Sequence, residues 1–121
     1  MSFARKRLGL MGERETARRL VSLGWDMLEH GWRGGGGEID LIGLDAGTIV
    51  FVEVKTRSSE AHGLPERSVG LRKRLKIIRA ARSFLRSRGW AGRPVRFDIA
   101  AVTPAGVRFI HGACGAGGWG T

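Results

Sequence analysis

The order of periodic segments in this chain predicts an α/β domain, a mixed β-sheet flanked by helices in the order αβββαββ. Three observations carry that expectation. Residues 10–23 and 67–88 repeat their apolar side chains at helical spacing, and each run is followed by a glycine placed to stop it, Gly24 and Gly89. Five shorter runs between and after them have strand character. The chain is 121 residues long with 42% hydrophobic residues, enough to bury roughly two thirds of its unfolded surface in a single core.

In the first helix, Leu10, Ala17, Leu20 and Val21 fall on one face. Trp25–His30 reads as a short strand. Gly31–Gly37 reads as a loop and a mobile flap, since consecutive glycines sustain regular structure poorly. Glu38–Leu44 and Thr48–Arg57 read as two strands joined by a tight turn at Asp45-Ala46-Gly47, an antiparallel hairpin. Ser58–Pro65 is a loop. The second helix runs from Arg67 to Arg88, with Leu71, Leu75, Ile78, Ala81 and Leu85 as its core stripe. Arg72, Lys76, Arg79 and Arg86 lie on the opposite side, and Arg74 falls inside the apolar arc without explanation. Val95–Val102 and Val107–His111 are further strands, separated by Thr103-Pro104-Ala105-Gly106. Residues 1–111 form one domain, and the glycine-rich residues 112–121 are expected to be a disordered tail.

Composition narrows the function classes. A single cysteine, Cys114, excludes an internal disulfide and a cysteine-based zinc cage. No apolar run approaches a membrane span, and the basic start Arg5-Lys6-Arg7 leads into too short an apolar stretch for a signal peptide, so a cytoplasmic location without membrane contact is expected. The net charge of +10 is concentrated: residues 1–66 hold 9 basic and 10 acidic side chains, residues 67–96 hold 11 basic and no acidic ones, and the remainder balances. A localised basic field suits a polyanion, and phosphate contacts supply most sequence-independent nucleic-acid affinity. The candidate contacts are Arg33, Arg57, Arg72, Lys73, Lys76, Arg79 and Arg86.

Against that basic background, Gly37-Glu38-Ile39-Asp40-Leu41-Ile42 and Phe51-Val52-Glu53-Val54-Lys55 place acids inside runs that otherwise read as buried strands. Carboxylates are rarely buried unless paired or bound to a metal. Strand alternation puts Glu38 and Asp40 on one face, and Glu53 and Lys55 on one face of the next strand. A symmetric count about Ala46–Gly47 sets Asp40 across from Glu53. Like charges in that position repel unless a cation lies between them. Two carboxylates with open positions left for water and phosphate are what Mg²⁺ prefers. A lysine beside them can orient water or stabilise charge developing on a phosphate. Glu13 lies on the apolar arc of the first helix, where a carboxylate needs a partner, and from there it would reach the same site. The structural alternative is an ion pair of Glu53 with Lys55 at a sheet edge.

The remaining polar residues carry less. His30, His62 and His111 have no ligand spacing and read as surface or strand-end residues. Trp32 reads as rim packing, Asp98 as an in-strand acid paired with Arg96 or Arg108, and Cys114 as inert.

Gly12-Glu13-x-x-x-Ala17, Trp32-Arg33, the two acidic strings through Thr56-Arg57, and Arg96-Phe97-Asp98-Ile99-Ala100-Ala101-Val102 together resemble the YraN family of small bacterial proteins, over roughly residues 10–111. That family is similar to archaeal Holliday-junction resolvases and to the PD-(D/E)xK nuclease superfamily. The resemblance implies a restriction-endonuclease-like sheet between helices and phosphodiester hydrolysis with Mg²⁺ or Mn²⁺. By position, Asp40 matches the first motif acid, Glu53 and Lys55 the acid-x-lysine half, and Glu13 the helix glutamate that completes the metal site. This chain departs from the family in its glycines before Glu38, and in having no tyrosine, Phe84 standing as a packing substitute in the second helix. The expected activity is an endonuclease acting on DNA, branched DNA included, for which a homodimer would match a two-fold substrate. The alternatives are a nucleic-acid-binding module that does not cleave and a protein-interaction domain.

Overall fold

The computed structural model describes residues 3–57 and 70–112, with side chains from residue 8 onward. Its elements are α1 (Phe3–Ser22), β1 (Asp26–Gly34), β2 (Gly37–Asp45), β3 (Thr48–Thr56), α2 (Leu71–Arg88), β4 (Val95–Thr103) and β5 (Gly106–Ile110). The expected order αβββαββ is therefore the observed one. The strands form one five-stranded sheet in the order β1-β2-β3-β4-β5. Every pairing is antiparallel except β3 with β4, and α2 lies in the connection that makes this parallel pair.

Alternate residues of β3 feed two cores. Val50 and Val52 pack with Ala17 and Leu20 of α1, whereas Ile49 and Phe51 pack with Ala80, Ala81 and Phe84 of α2. The helices thus cover opposite faces, as a mixed α/β sheet requires. Phe84 is wholly buried and meets the rings of Trp32, Phe51 and Trp90 edge-on, so the expected packing role for Phe84 holds. Gly89 takes the left-handed conformation, φ 70°, at the end of α2, and Gly24 follows α1 at φ 95°. Both stops fall where the sequence places them.

The structure corrects the sequence reading in three places. The four-glycine run is not a loop. Gly35 and Gly36 have φ of 61° and 82° and form the two-residue turn of a β1–β2 hairpin, which needs positive φ at both central positions. A Cβ at Gly35 would stand 2.7 Å from the Arg79 carbonyl oxygen, and one at Gly37 2.5 Å from that of Lys76. The glycines therefore let the hairpin lie directly on the backbone of α2.

The buried stripe of α2 is Ile77, Ala80, Ala81 and Phe84, while Leu71 and Leu75 are 73% and 45% exposed. Leucine spacing drew the expected stripe, but small alanines are what permit the close contact with the glycine hairpin. On α1, Ala17 and Leu20 are buried as expected, yet Leu10 and Val21 are more than half exposed, and the inner face is completed by Thr16. The Thr16 hydroxyl donates to the Gly12 carbonyl at 2.7 Å, which removes the cost of burying it. This helix also begins earlier than expected, at Phe3.

The hairpin turn at Ala46 and Gly47 joins β2 to β3 as expected, with Ala46 at φ 48°. Asp98 is fully buried and satisfied: Arg96 donates through Nε at 2.9 Å and Nη2 at 3.0 Å, the Gly112 N–H donates at 2.9 Å, and His111 Nδ1 lies 2.8 Å away. Arg96 rather than Arg108 is therefore its arginine partner, and Arg96 also reaches Asp45 at 3.1 Å. Asp98 is thus spent on tying the sheet together. The loop expected at Ser58–Pro65, His62, the start of the second helix before Gly70, and Cys114 with the tail from residue 113 lie outside the described residues. Among the described residues, no helix is long and apolar enough to cross a membrane.

Candidate metal and nucleic-acid site

Strands β2 and β3 pair from Asp45↔Thr48 back to Leu41↔Val52, and the ladder ends there. The next step in that count is the expected juxtaposition of Asp40 with Glu53. Beyond this point β3 continues beside β4, from Glu53↔Ile99 to Thr56↔Val102, while β2 departs. Ile39 packs on the α2 side and Leu41 on the α1 side, so the strand's alternation breaks at Asp40. Its Oδ2 accepts the Val54 N–H at 2.8 Å, replacing a backbone partner at the fork. The fork is where the acids meet.

The carboxyl groups of Asp40 and Glu53 come close enough for a hydrogen bond between them once one carries a proton. Burial, that bond and the charge of Glu53 push Asp40 up to about 9, against the pull of the Val54 N–H. Burial alone would raise Glu53 as well, but the proton on Asp40 and the ammonium groups of Lys73 and Lys55 outweigh it and hold Glu53 below the usual carboxylate range. Asp40 is therefore the acid that keeps its proton near neutral pH and Glu53 the one that gives it up, the ordinary outcome for facing carboxylates with no divalent charge between them. Glu53 is 6% exposed, and its Oε2 lies 2.6 Å from Lys73 Nζ. That approach is an ion contact rather than an aligned hydrogen bond, because the same oxygen is buried without a hydrogen-bond partner of good geometry.

Lys55 follows Glu53 on the same face. Burial, with Lys73 beside it, lowers its ammonium to about 8, although Glu53 works in the other direction. Lys73 is also penalised by burial, but its contacts with Glu53 leave it raised. From the other face, Glu13 approaches on α1. Its carboxyl is raised, first by burial and then by the charges of Glu38 and Glu53. Gly12 makes this approach sterically possible, since a Cβ there would collide with the Thr56 hydroxyl. Glu38 stands outside the pair, exposed, with Arg33 at 3.4 Å.

The donor set fits a hard divalent cation. It offers hard oxygens, one of them a buried atom with no aligned partner, and a proton where a cation would remove the repulsion. Asp40 and Glu53 would hold such an ion, with Glu13 as the third acid. Among the described residues, however, no three histidine, cysteine or acidic side chains are already gathered at ligating distance. The structure thus brings Asp40, Glu53 and Lys55 together and leaves Glu13 within electrostatic reach.

The basic residues divide into groups. Arg33, Arg72, Lys73 and Lys76 line a groove of about 860 Å³ between the glycine hairpin and the start of α2. Arg79 and Arg86 lie farther along α2, in keeping with the expected basic side. Arg57 lies apart from these, lining a second groove of about 640 Å³ beside α1. Lys73, expected only as a phosphate contact, also touches Glu53. The signal was present: Lys73, Ile77, Ala80 and Phe84 are spaced by four, three and four residues, so the true stripe of α2 carries Lys73 toward the sheet.

Comparison with known proteins gives a consistent result. The profile of the family described as "Uncharacterised protein family UPF0102" matches residues 12–102. A UPF0102 protein of Moorella thermoacetica is 44% identical over 119 residues, covering 93% of this chain and 99% of the relative. One from Stutzerimonas stutzeri is 42% identical over 99 residues, 81% of this chain and 82% of the relative. One from Beutenbergia cavernae is 40% identical over 116 residues, 94% and 98% of the two chains.

Proposed function

This chain belongs to the UPF0102 family, and we propose that it is a divalent-metal-dependent endonuclease that hydrolyses phosphodiester bonds in DNA, branched or junction DNA being its substrate class. The observation that carries the reading is the meeting of Asp40 and the buried Glu53, one of whose oxygens has no aligned partner, where the β2–β3 ladder ends, with Lys55 on the same strand face as Glu53. Asp40 and Glu53, with Glu13, would hold Mg²⁺ or Mn²⁺. Such an ion supplies Lewis-acid polarisation of a phosphate and a water acidified toward neutral pH.

The chain's own residues supply the rest. The Lys55 ammonium, half-buried beside the pair, is a positive charge in a place of reduced dielectric, suited to orienting an attacking water and to offsetting charge that builds on the phosphate oxygens. The Val54 N–H fixes one Asp40 oxygen at 2.8 Å. Arg33, Arg72 and Lys76 along the adjoining groove neutralise backbone phosphates and set the strand's path without reading sequence. The YraN resemblance to junction resolvases supports branched DNA as the substrate, and a homodimer would match its two-fold symmetry.

The test is incubation of purified protein with Mg²⁺ or Mn²⁺ and labelled four-way junction, flap, single-stranded and duplex DNA. Cleavage of at least one substrate by the wild type, reduced at least about 100-fold in Asp40→Asn, is the expected result. Absence of cleavage on all four, or equal cleavage by the variant, overturns it. One observation favours a second reading, a nucleic-acid-binding module that does not cleave: among the described residues the three acids are not gathered at ligating distance. That reading requires salt-sensitive DNA binding unchanged by Asp40→Asn and by EDTA.

A further inference from the structure

Lys73 belongs both to the groove and to the carboxylate pair. Its side chain is 47% exposed, yet its Nζ lies 2.6 Å from an oxygen of Glu53 that is otherwise buried without an aligned partner. It comes from the first turns of α2, on the far side of the connection from β3, so nothing in the local strand sequence places it there. Lys55 already stands on the same face as Glu53 and also interacts with Lys73. One buried carboxylate therefore faces two ammonium groups. An ion taking up Glu53 as a ligand must win that oxygen from Lys73. Once released, Lys73 is left at the rim of the groove with Arg72 and Lys76.

We propose that Lys73 is a resident counter-cation of the metal site, occupying Glu53 until a divalent ion displaces it, so that it stabilises the metal-free fold and opposes metal loading. The proposal rests on the metal-site reading above. It gives Lys73 two effects of opposite sign. Removing its charge weakens the metal-free protein, because Glu53 loses its nearest cation, and tightens metal binding, because the competitor is gone. A lysine serving only to hold α2 against the sheet has the first effect without the second.

The experiment uses the full chain, stripped of metal, titrated with Mn²⁺ alone and read by the electron paramagnetic resonance of free Mn²⁺, with melting curves in EDTA and in excess Mn²⁺. Lys73→Met keeps the aliphatic stem and a strong helix former at this position. Relative to wild type it is expected to bind Mn²⁺ about tenfold more tightly, to melt lower in EDTA and to gain more in melting temperature from Mn²⁺. Lys73→Arg, which keeps the charge, is expected to behave like wild type in both measurements. Equal or weaker Mn²⁺ binding by Lys73→Met overturns the proposal, and if wild-type binding is at the same time abolished by Asp40→Asn, the metal-site reading survives that failure. If neither wild type nor Lys73→Met binds Mn²⁺, both readings fall together.

Discussion

Asp40→Asn should make the metal-free protein more stable, and increasingly so as the pH rises. A carboxyl group that ordinarily titrates at 3.8 is held at about 9 in the fold. The native state thus binds a proton that the unfolded chain has lost, and stability falls as pH rises between those two values. At about 1.4 kcal/mol for each pH unit, keeping Asp40 protonated at pH 7 opposes folding by at most about 4 kcal/mol. Asparagine keeps an oxygen to accept the Val54 N–H, now 2.8 Å from Oδ2, and offers Glu53 an N–H in place of the Asp40 proton. It has no proton to hold. Allowing for relaxation around the site, a gain of roughly 1–2 kcal/mol at pH 8 is expected, or about 5–10 °C in melting temperature for a domain of this size. The assay is thermal unfolding in EDTA from pH 5 to pH 8. Within that window Glu53, whose contribution is lost only as pH falls below its ordinary 4.5, does not intervene. Lys55, lowered to about 8, adds stability with rising pH only above the window. The difference between variant and wild type should grow steadily across it. A variant less stable than wild type throughout, or a difference independent of pH, would refute the assignment of the proton to Asp40.

Three other variants have defined outcomes. Neutralising Arg72, Lys76 and Arg79 together should weaken DNA binding at all sequences alike and reduce the slope of log affinity against log salt by about one for each phosphate left without its cation, measured by fluorescence anisotropy between about 50 and 200 mM salt. Gly12→Ala puts a Cβ into the Thr56 hydroxyl, so Thr56 or α1 must give way next to Glu13; a loss of about 1–3 kcal/mol in urea unfolding is expected, together with weaker Mn²⁺ binding. Ala46→Gly relieves a left-handed residue at φ 48° and should raise stability by up to about 1 kcal/mol, measured by the same unfolding assay, with no effect on metal binding.

Much of this arrangement is legible in the sequence because its signals are local. The Asp45-Ala46-Gly47 turn fixes the register of two strands, and a register fixes which side chains face each other; counting outward from the turn leads to Asp40 and Glu53. Gly24 and Gly89 end their helices at positions where a left-handed residue is needed. The failures arise where tertiary contact overrides local character. A run of glycines reads as a breaker, but Gly35 and Gly37 are small because α2 lies against them. Ala81 is buried as its place in the expected stripe requires, but Leu71 and Leu75, which read as core, are left outside, and the close helix–hairpin contact falls to the small Ala80. That error in the stripe also hid Lys73, since a residue read only as a phosphate contact has no expected partner in the sheet. The break in alternation at Asp40 has no local signature, because it follows from β2 leaving β3 after Leu41. Asp98 illustrates the opposite case: as an in-strand acid it looked much like Asp40, and only the convergence of Arg96, His111 and the Gly112 N–H separates the satisfied acid from the strained one.

In the proposed metal site, Asp40 and Glu53 exchange the proton between them for a divalent ion. A crystal of the wild-type protein soaked in Mn²⁺ and measured at the manganese absorption edge tests it most directly. The expected result is an anomalous peak between the two carboxylates, at about 2.1 Å from an oxygen of each, with Lys73 drawn away from Glu53. A soaked crystal in which Asp40 and Glu53 remain hydrogen-bonded to each other, with no anomalous peak between them, would contradict it.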